Sequence, residues 1–384
     1  MQESAKKQKK PVVLITGYLG SGKTTLLNNL LKQEKRRVAL IVNDMGSINV
    51  DAAILKNEGA NVAECPMYEL QNGCICCTLR DEFIKQLEKI SEIDSVEVVF
   101  VEASGISDPG AVAASFLNYE EDTPDTNVYL TSIITVVDAD RIYREFLSDL
   151  KKRGSQKEIL DENNLNTQEI STLIVDQIEF CNFIVLNKCD LLNEKQLAEV
   201  DEIVRQFQRK APVLHSVNGT VKLEDILTAE PFDFEQIDSS SAIQKAINSL
   251  DGTKGCTDEY GITSFVYEER RPFNREKFLK FVNENYPSSL IRAKGYIWFS
   301  DASQDVQLFE QAGRNSSIME VSYWVDALVD EQKNEILENN PDMKEDWDEE
   351  FGDRENQIVF IGKGYSQSEI KSALEQCLDE KAIA

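Results

Sequence analysis

Polar and apolar positions follow one rhythm over the first 230 residues and another after residue 260. In the first part, unbroken apolar runs of strand length alternate with segments in which leucine and isoleucine recur at helical spacing. The runs are "PVVLITG", "RRVALIVND", "SVEVVFVEASG", "SIITVVDAD", "FCNFIVLNKCD" and "APVLHSVNG". Among the segments between them, "KTTLLNNLLKQ", "LRDEFIKQLEKISEI" and "NEKQLAEVDEIVRQFQRK" show a three-to-four-residue apolar repeat. A run with no polar alternation suits a strand covered on both faces, and strands alternating with helices specify a parallel, doubly wound α/β sheet. Sheets of this kind bind ligands at the carboxyl ends of their strands.

The stretch "SSSAIQKAINSLDGTKGCTDEYG" reads as an exposed connection with some helix. Beyond it the order changes to strand "GITSFVYEE", helix "NREKFLKFVNENYP", strands "AKGYIWFSD", "VQLFEQAG", "SIMEVSYW" and "NQIVFIGKG", then helix "SQSEIKSALEQCLDE". That order predicts a smaller α+β domain. The expected division is a nucleotide domain over 1–230, a connecting segment over 231–260 and a C-terminal domain over 261–384. The acid-rich stretch from Pro341 to Arg354 reads as a solvated face.

Composition narrows the setting. The chain has 384 residues, 41% of them apolar, enough to bury more than one core. The longest apolar runs fall well short of the ~20 residues that span a bilayer. The opening "MQESAKKQKK" is followed by a run that meets glycine too early for a signal core, so a cytoplasmic location is expected. A reducing compartment keeps thiols free. Cys65, Cys181, Cys189, Cys256 and Cys377 are scattered and read as small buried side chains. With 68 acidic against 41 basic residues and a formal charge of -27, the composition argues against nucleic acid and anionic membrane as main partners.

"GYLGSGKT", Gly17 to Thr24, fits G-x-x-x-x-G-K-[ST] and lies between a predicted strand and a predicted helix, the context that confirms a P-loop. The glycines Gly17, Gly20 and Gly22 let backbone N–H groups, with Ser21 and Thr25, wrap phosphate oxygens at the start of a helix. Lys23 is expected to reach the β- and γ-phosphates and the Thr24 hydroxyl to ligate Mg²⁺. The fold expected is therefore a P-loop NTPase with a mostly parallel sheet. Glu102 ends a buried strand and is placed at the metal–water site, as a catalytic residue with Lys23. "NDMG" follows the second strand, and Asp44 is a further candidate ligand for Mg²⁺.

"LNKCD" supplies Asn187, Lys188 and Asp190 after another buried strand, the N-K-x-D pattern. An Asp carboxylate there accepts two hydrogen bonds from guanine, a donor pair that adenine lacks, so GTP is expected over ATP. "HSVNG" is placed where a backbone group can meet the base.

"GCICC" puts Cys74, Cys76 and Cys77 in a loop before a helix. Three thiolates can grip Zn²⁺. Cys74 and Cys77 also form a C-x-x-C redox spacing, and inert packing is the third reading. Tetrahedral zinc needs a fourth ligand, for which Cys65, Asp44, Glu69, water and the chain's one histidine, His215, are candidates.

The set "GYLGSGKTTLLN", "GCICC", "VEASG" and "NKCD" resembles the CobW-like GTPases, the metal-chaperone branch of the metallocentre-assembly GTPases. "FVYEERRPFNREKF", "AKGYIWFS" and "GDRENQIVFIG" look like that family's C-terminal domain. The resemblance implies a cytosolic GTPase whose slow hydrolysis is coupled to inserting Zn²⁺, in some members Co²⁺, into a client metalloprotein. It puts the metal motif on Cys74, Cys76 and Cys77, the phosphate motif on Gly17 to Thr24 and the base motif on Asn187, Lys188 and Asp190. Many members carry a histidine in the segment matching "RRPFNREKF", where this chain has Asn274. A homo-oligomer is compatible with the resemblance. The alternative kept beside it is a nucleotide-dependent switch that senses thiol redox state or metal.

Overall fold

The computed structural model describes residues 9–42, 66–69, 79–107, 109–148, 170–227, 232, 262–313 and 315–379. The chain divides into two compact units, Met1–Tyr143 with Leu173–Asp238, and Arg144–Thr172 with Ser239–Ala384.

The first unit is built on seven strands: β1 (Lys10–Thr16), β2 (Val38–Val42), β3 (Met67–Glu69), β4 (Val98–Glu102), β5 (Val128–Asp138), β6 (Phe183–Asn187) and β7 (Val213–His215). Their order is β3-β2-β4-β1-β5-β6-β7, and every pairing is parallel. The helices are α1 (Lys23–Leu31), α2 (Leu79–Ser91), α3 (Pro109–Asp122), α4 (Ala139–Ile142), α5 (Ile170–Glu179), α6 (Glu194–Phe207) and α7 (Leu223–Leu227). Hydropathy alone predicts six of these strands. It misses β3, three residues at the sheet edge whose apolar content is too small to register. It also misses α3 and α5. In α3, residues Ala111–Ala114 are too evenly apolar to show a polar face.

Burial follows from the strand period of two. Val13, Ile15, Leu40, Val42, Val98, Phe100, Ile134, Val136, Phe183 and Val185 share one side of the sheet and pack with Leu26, Leu27 and Leu30 of α1. The alternate positions Val12, Leu14, Ile41, Val99, Val101 and Ile133 are buried as well, which explains the lack of polar alternation. Burying the Leu27 side chain alone contributes about 1.5–3 kcal/mol. Lys10 is an exception at 3% exposure. Its Nζ donates to the carbonyls of Ile90, Ser91 and Ile93 at 3.1, 3.0 and 2.7 Å, closing the carboxyl end of α2.

The second unit carries β8 (Ile262–Glu269), β9 (Leu290–Ile297), β10 (Asp305–Ala312), β11 (Asn315–Tyr323) and β12 (Asn356–Lys363), in the antiparallel order β11-β10-β9-β12-β8. α8 (Arg275–Lys280), running into a wide turn over Phe281–Asn285, and α11 (Gln367–Glu375) supply the helical layer. α9 (Asp330–Asn339) and α10 (Pro341–Glu345) follow β11. The core is aromatic: Phe265, Tyr267, Phe273, Phe278, Phe281, Phe299, Phe309 and Phe360 cluster with Ile370 and Leu374 of α11. Asn274 caps α8, its Oδ1 accepting the Lys277 N–H at 3.1 Å. The acid-rich stretch is not solvated throughout, because Asp353 accepts the N–H groups of Val325 and Asp326 at 2.7 and 2.9 Å. Among the described residues no helix is long and apolar enough to cross a membrane.

Candidate functional site

The parallel sheet carries the loops after β1, β4, β5, β6 and β7 on its carboxyl edge. The loop after β1 is the phosphate motif. Three of its glycines adopt φ angles closed to other residues, +135° at Gly17, +77° at Gly20 and +109° at Gly22. At two of them there is no room for a side chain. A Cβ on Gly17 would lie 2.3 Å from the Val136 carbonyl oxygen, and one on Gly22 2.4 Å from Asn187 Nδ2. A Cβ on Gly20 meets nothing within 4 Å, so that part of the loop faces open space. Gly22 is the left-handed residue from which α1 starts.

Lys23 begins α1, is 8% exposed, and donates from Nζ to the Tyr18 carbonyl at 3.4 Å. Burial holds its pKa below the ordinary 10.5, and the negative charge of Glu102 opposes that fall. Thr24, the next residue, donates from Oγ1 to Glu102 Oε1 at 2.6 Å. Glu102 ends β4 and is 5% exposed. The structure thus joins the phosphate motif to the expected carboxylate through one hydrogen bond. Hard oxygen donors beside a phosphate loop fit Mg²⁺ chemically. Thr24 would hold the ion, with Glu102 beside it at the metal–water site, and the ion would neutralise phosphate charge. Ser21 is buried and Thr25 is exposed on the first turn of α1.

Asn187 ends β6 with 2% of its surface exposed. Its Nδ2 donates to the Ser21 carbonyl at 2.9 Å, and its Oδ1 accepts the Gly219 N–H at 2.9 Å. One carboxamide therefore ties the phosphate loop to the loop after β7. Gly219 has φ +63°, and a Cβ there would lie 2.8 Å from Leu26 N of α1. Asn29 of α1 donates to the carbonyls of Asn218 and Gly219 at 2.9 and 3.1 Å. Lys188 takes a left-handed φ of +61° and pairs with Asp138 Oδ2 at the end of β5. Asp138 Oδ1 in turn accepts the Arg141 N–H at 3.1 Å, capping α4. Asp190 is exposed in the 3-10 turn Cys189–Leu191, open to a ligand.

Sequence reasoning did not single out Asp138, Arg141 or Gln177, and it took Gly219 only as part of "HSVNG", a stretch placed near the base. Asp138 carries the same signal as Glu102, an acid ending an apolar run. Arg141 lies over the Tyr18 ring at 4.6 Å, a contact that no local pattern encodes. His215 is 45% exposed in its side chain, with Nε2 2.9 Å from Asp201 Oδ1. Cys181 and Cys377 are buried as expected, and Cys189 is half-buried with Sγ 3.0 Å from the Leu186 carbonyl. Burial pushes the Cys189 thiol up and the Cys377 thiol to about 11, so neither is a ready thiolate.

Cys74, Cys76, Cys77, Asp44, Cys65 and Cys256 lie outside the described residues, as does the side chain of Glu69. Among the described residues no group of three or more His, Cys, Asp or Glu side chains could hold a metal. β3 runs parallel to β2 and ends at Glu69, and α2 begins at Leu79. The three cysteines fall, in sequence, between these two described elements.

Residues 11–215 match the CobW/HypB/UreG nucleotide-binding domain, and residues 262–378 match the cobalamin synthesis protein cobW C-terminal domain. A Dictyostelium discoideum protein, "Zinc-regulated GTPase metalloprotein activator 1", is 33% identical over 391 residues, covering 97% of this chain and 80% of that one. A "Zinc chaperone CobW" of Sinorhizobium is 34% identical over 223 residues, covering 56% of this chain and 62% of its own. The solved Zn(II)-bound YjiA GTPase from E. coli aligns over 97% of this chain and 100% of its own, at 21% identity and a TM-score of 0.40. With one family domain matched by the parallel-sheet unit and its companion by the antiparallel unit, this chain belongs to the CobW/HypB/UreG family of P-loop GTPases.

Proposed function

We propose that the protein is a cytosolic GTPase metallochaperone that carries Zn²⁺ on Cys74, Cys76 and Cys77 and passes it to a client metalloprotein. Residues 1–230 form the GTPase domain, 231–260 a connection and 261–384 the C-terminal domain. Gly17 to Thr25 hold the phosphates, Asp190 reads guanine with Lys188 beside it, and Asn187, third member of the base motif, ties the phosphate loop to the loop after β7. Thr24 and Asp44 hold Mg²⁺, Glu102 acts with Lys23 as the catalytic carboxylate at the metal–water site, and Co²⁺ is a second cargo.

The observation that carries this reading is the 2.6 Å contact between Thr24 of the phosphate motif and the buried Glu102, in a chain whose sequence also places three thiols between the end of β3 and the start of α2. Glu102 is the group through which nucleotide state reaches the loop that follows it. Support also comes from the names of the relatives, one a zinc-regulated metalloprotein activator and one a zinc chaperone. A three-thiolate site leaves one tetrahedral position open, as exchange of the ion requires.

The test is zinc affinity against nucleotide state. The protein is loaded with Zn²⁺ and titrated with a chromophoric chelator in the presence of GTP, a non-hydrolysable analogue or GDP, beside Cys76→Ser. The carrier reading expects one tightly bound zinc, lost in the variant and held differently in the GTP and GDP states. Equal affinity in all states removes the coupling and returns the cysteines to the sensor or redox alternative.

A further inference from the structure

The loop that follows Glu102 is held by a residue that the nucleotide motifs do not contain. Gln177, on α5, is 1% exposed. Its Nε2 donates to the carbonyl oxygens of Gly105 and Ser107 at 3.3 and 3.1 Å. Its own backbone carbonyl accepts the Thr135 hydroxyl of β5 at 2.6 Å, which fixes the helix against the sheet at this point. The loop is pressed on its other side by the phosphate motif. A Cβ on Gly105 would lie 2.6 Å from Leu19 Cδ2 and 2.7 Å from Leu19 N. Gly105 is thus caught between the phosphate loop and the Gln177 carboxamide. Gln177 also lines a narrow cleft with Tyr18, Ser21, Thr135 and Asp138.

In P-loop GTPases the segment after this strand is ordered by contacts to the γ-phosphate and its metal, and it relaxes on hydrolysis. For such a segment to place Glu102 reproducibly, something outside the nucleotide must anchor it. We propose that Gln177 is the latch that holds the Gly105–Ser107 segment, and with it Glu102, in the geometry that hydrolysis needs. In this role Gln177 is a positioning residue, acting on the loop through its two carbonyls. Two donors on one rigid amide, aimed at two carbonyls two residues apart, define the loop's path. A side chain of equal size without donors fills the space and leaves that path free. The inference rests on GTP hydrolysis by the nucleotide unit and does not require zinc delivery.

The experiment is steady-state GTP hydrolysis by the full chain, without added zinc, for the wild type, Gln177→Met and Gln177→Glu. GDP affinity is measured alongside by fluorescent-nucleotide titration. Misplacing a catalytic group by about 1 Å costs up to roughly a hundredfold in rate. For Gln177→Met we expect kcat to fall roughly tenfold to a hundredfold, with KM for GTP and GDP affinity within about threefold of the wild type. A merely structural residue would move all three together. Gln177→Glu adds a readout that packing cannot supply. Its ionised form repels both carbonyls, whereas its protonated form restores one donor. The ratio of variant to wild-type kcat should therefore rise as pH falls from about 8 to about 5.5. Unchanged kcat in Gln177→Met, parallel loss of kcat and GDP binding, or a pH-independent ratio for Gln177→Glu overturns the latch. If Gln177→Met does not fold, the pH dependence of Gln177→Glu decides alone. Failure of the wild type to hydrolyse GTP would instead overturn the reading of the nucleotide site itself, and the latch with it.

Discussion

Asn187 is the residue at which the site's construction can be tested most directly, because sequence pattern and structure give it different work. The N-K-x-D motif assigns it to the base pocket. The structure assigns its amide to Ser21 and its carbonyl to Gly219, both at 2.9 Å and both buried. Replacing it with alanine removes both partners at once and strands one backbone carbonyl and one backbone N–H. Each stranded buried group costs about 1–3 kcal/mol. Loops that can relax toward water recover part of that, so about 2 kcal/mol is expected for Asn187→Ala. That corresponds to roughly a thirtyfold shift in the equilibrium that closes the two loops. Asn187→Asp should be at least as damaging. One oxygen still accepts from Gly219, but the other then faces the Ser21 carbonyl with no donor between them. The assay pairs denaturant unfolding with titration of fluorescent GTP and ATP analogues. A staple acts on the whole phosphate loop, so both nucleotides should weaken together. A group that contacted the base would instead change the GTP-to-ATP ratio, as Asp190→Ala should. If Asn187→Ala lowers stability and GTP affinity by less than about 0.5 kcal/mol, or changes only the nucleotide preference, the staple reading is wrong.

Three further outcomes follow from the same geometry. Lys23 sits below its ordinary pKa of 10.5 because it is buried. Between its lowered pKa and 10.5 the unfolded chain holds more protons, so folding stability rises with pH through that window. Phosphate binding favours the charged form, so GDP affinity should fall over the same window, and proton uptake measured calorimetrically in two buffers should reveal it; a flat profile refutes the assignment. Gly22→Ala puts a Cβ 2.4 Å from Asn187 Nδ2 at a φ of +109°, and should abolish nucleotide binding measured by titration while the C-terminal unit stays folded. Lys10→Met removes three charge-assisted hydrogen bonds from the end of α2 and should cost about 2–4 kcal/mol in urea unfolding, with thermal shift as the check. A loss under about 1 kcal/mol would mean that water satisfies those carbonyls equally well.

What the chain states openly is whatever is written in one short window. The phosphate motif is legible because its glycines, lysine and threonine are consecutive, and the structure brings Thr24 to Glu102 across 78 positions only because the loop after β1 and the end of β4 share one edge of a parallel sheet. Strand β6 is legible for a similar reason, since "FIVLN" is buried at every position. The features that escaped are products of the sheet order. β1 lies between β4 and β5, and β6 pairs with β5, so residues far apart in sequence meet in register. Asp138 stands directly across from Asn187 in the ladder, which is why it meets Lys188, and no spacing rule joins the two positions beforehand. Gln177 is more concealed still. Its partners are backbone carbonyls 70 and 72 positions away, which leave no trace in side-chain pattern. Residues that meet the nucleotide are therefore recoverable from motif chemistry, whereas those that hold the loops in place come only from topology. The loops around a GTPase site need both kinds, because a phosphate grip with unanchored edges would bind without fixing the position of the carboxylate at its centre.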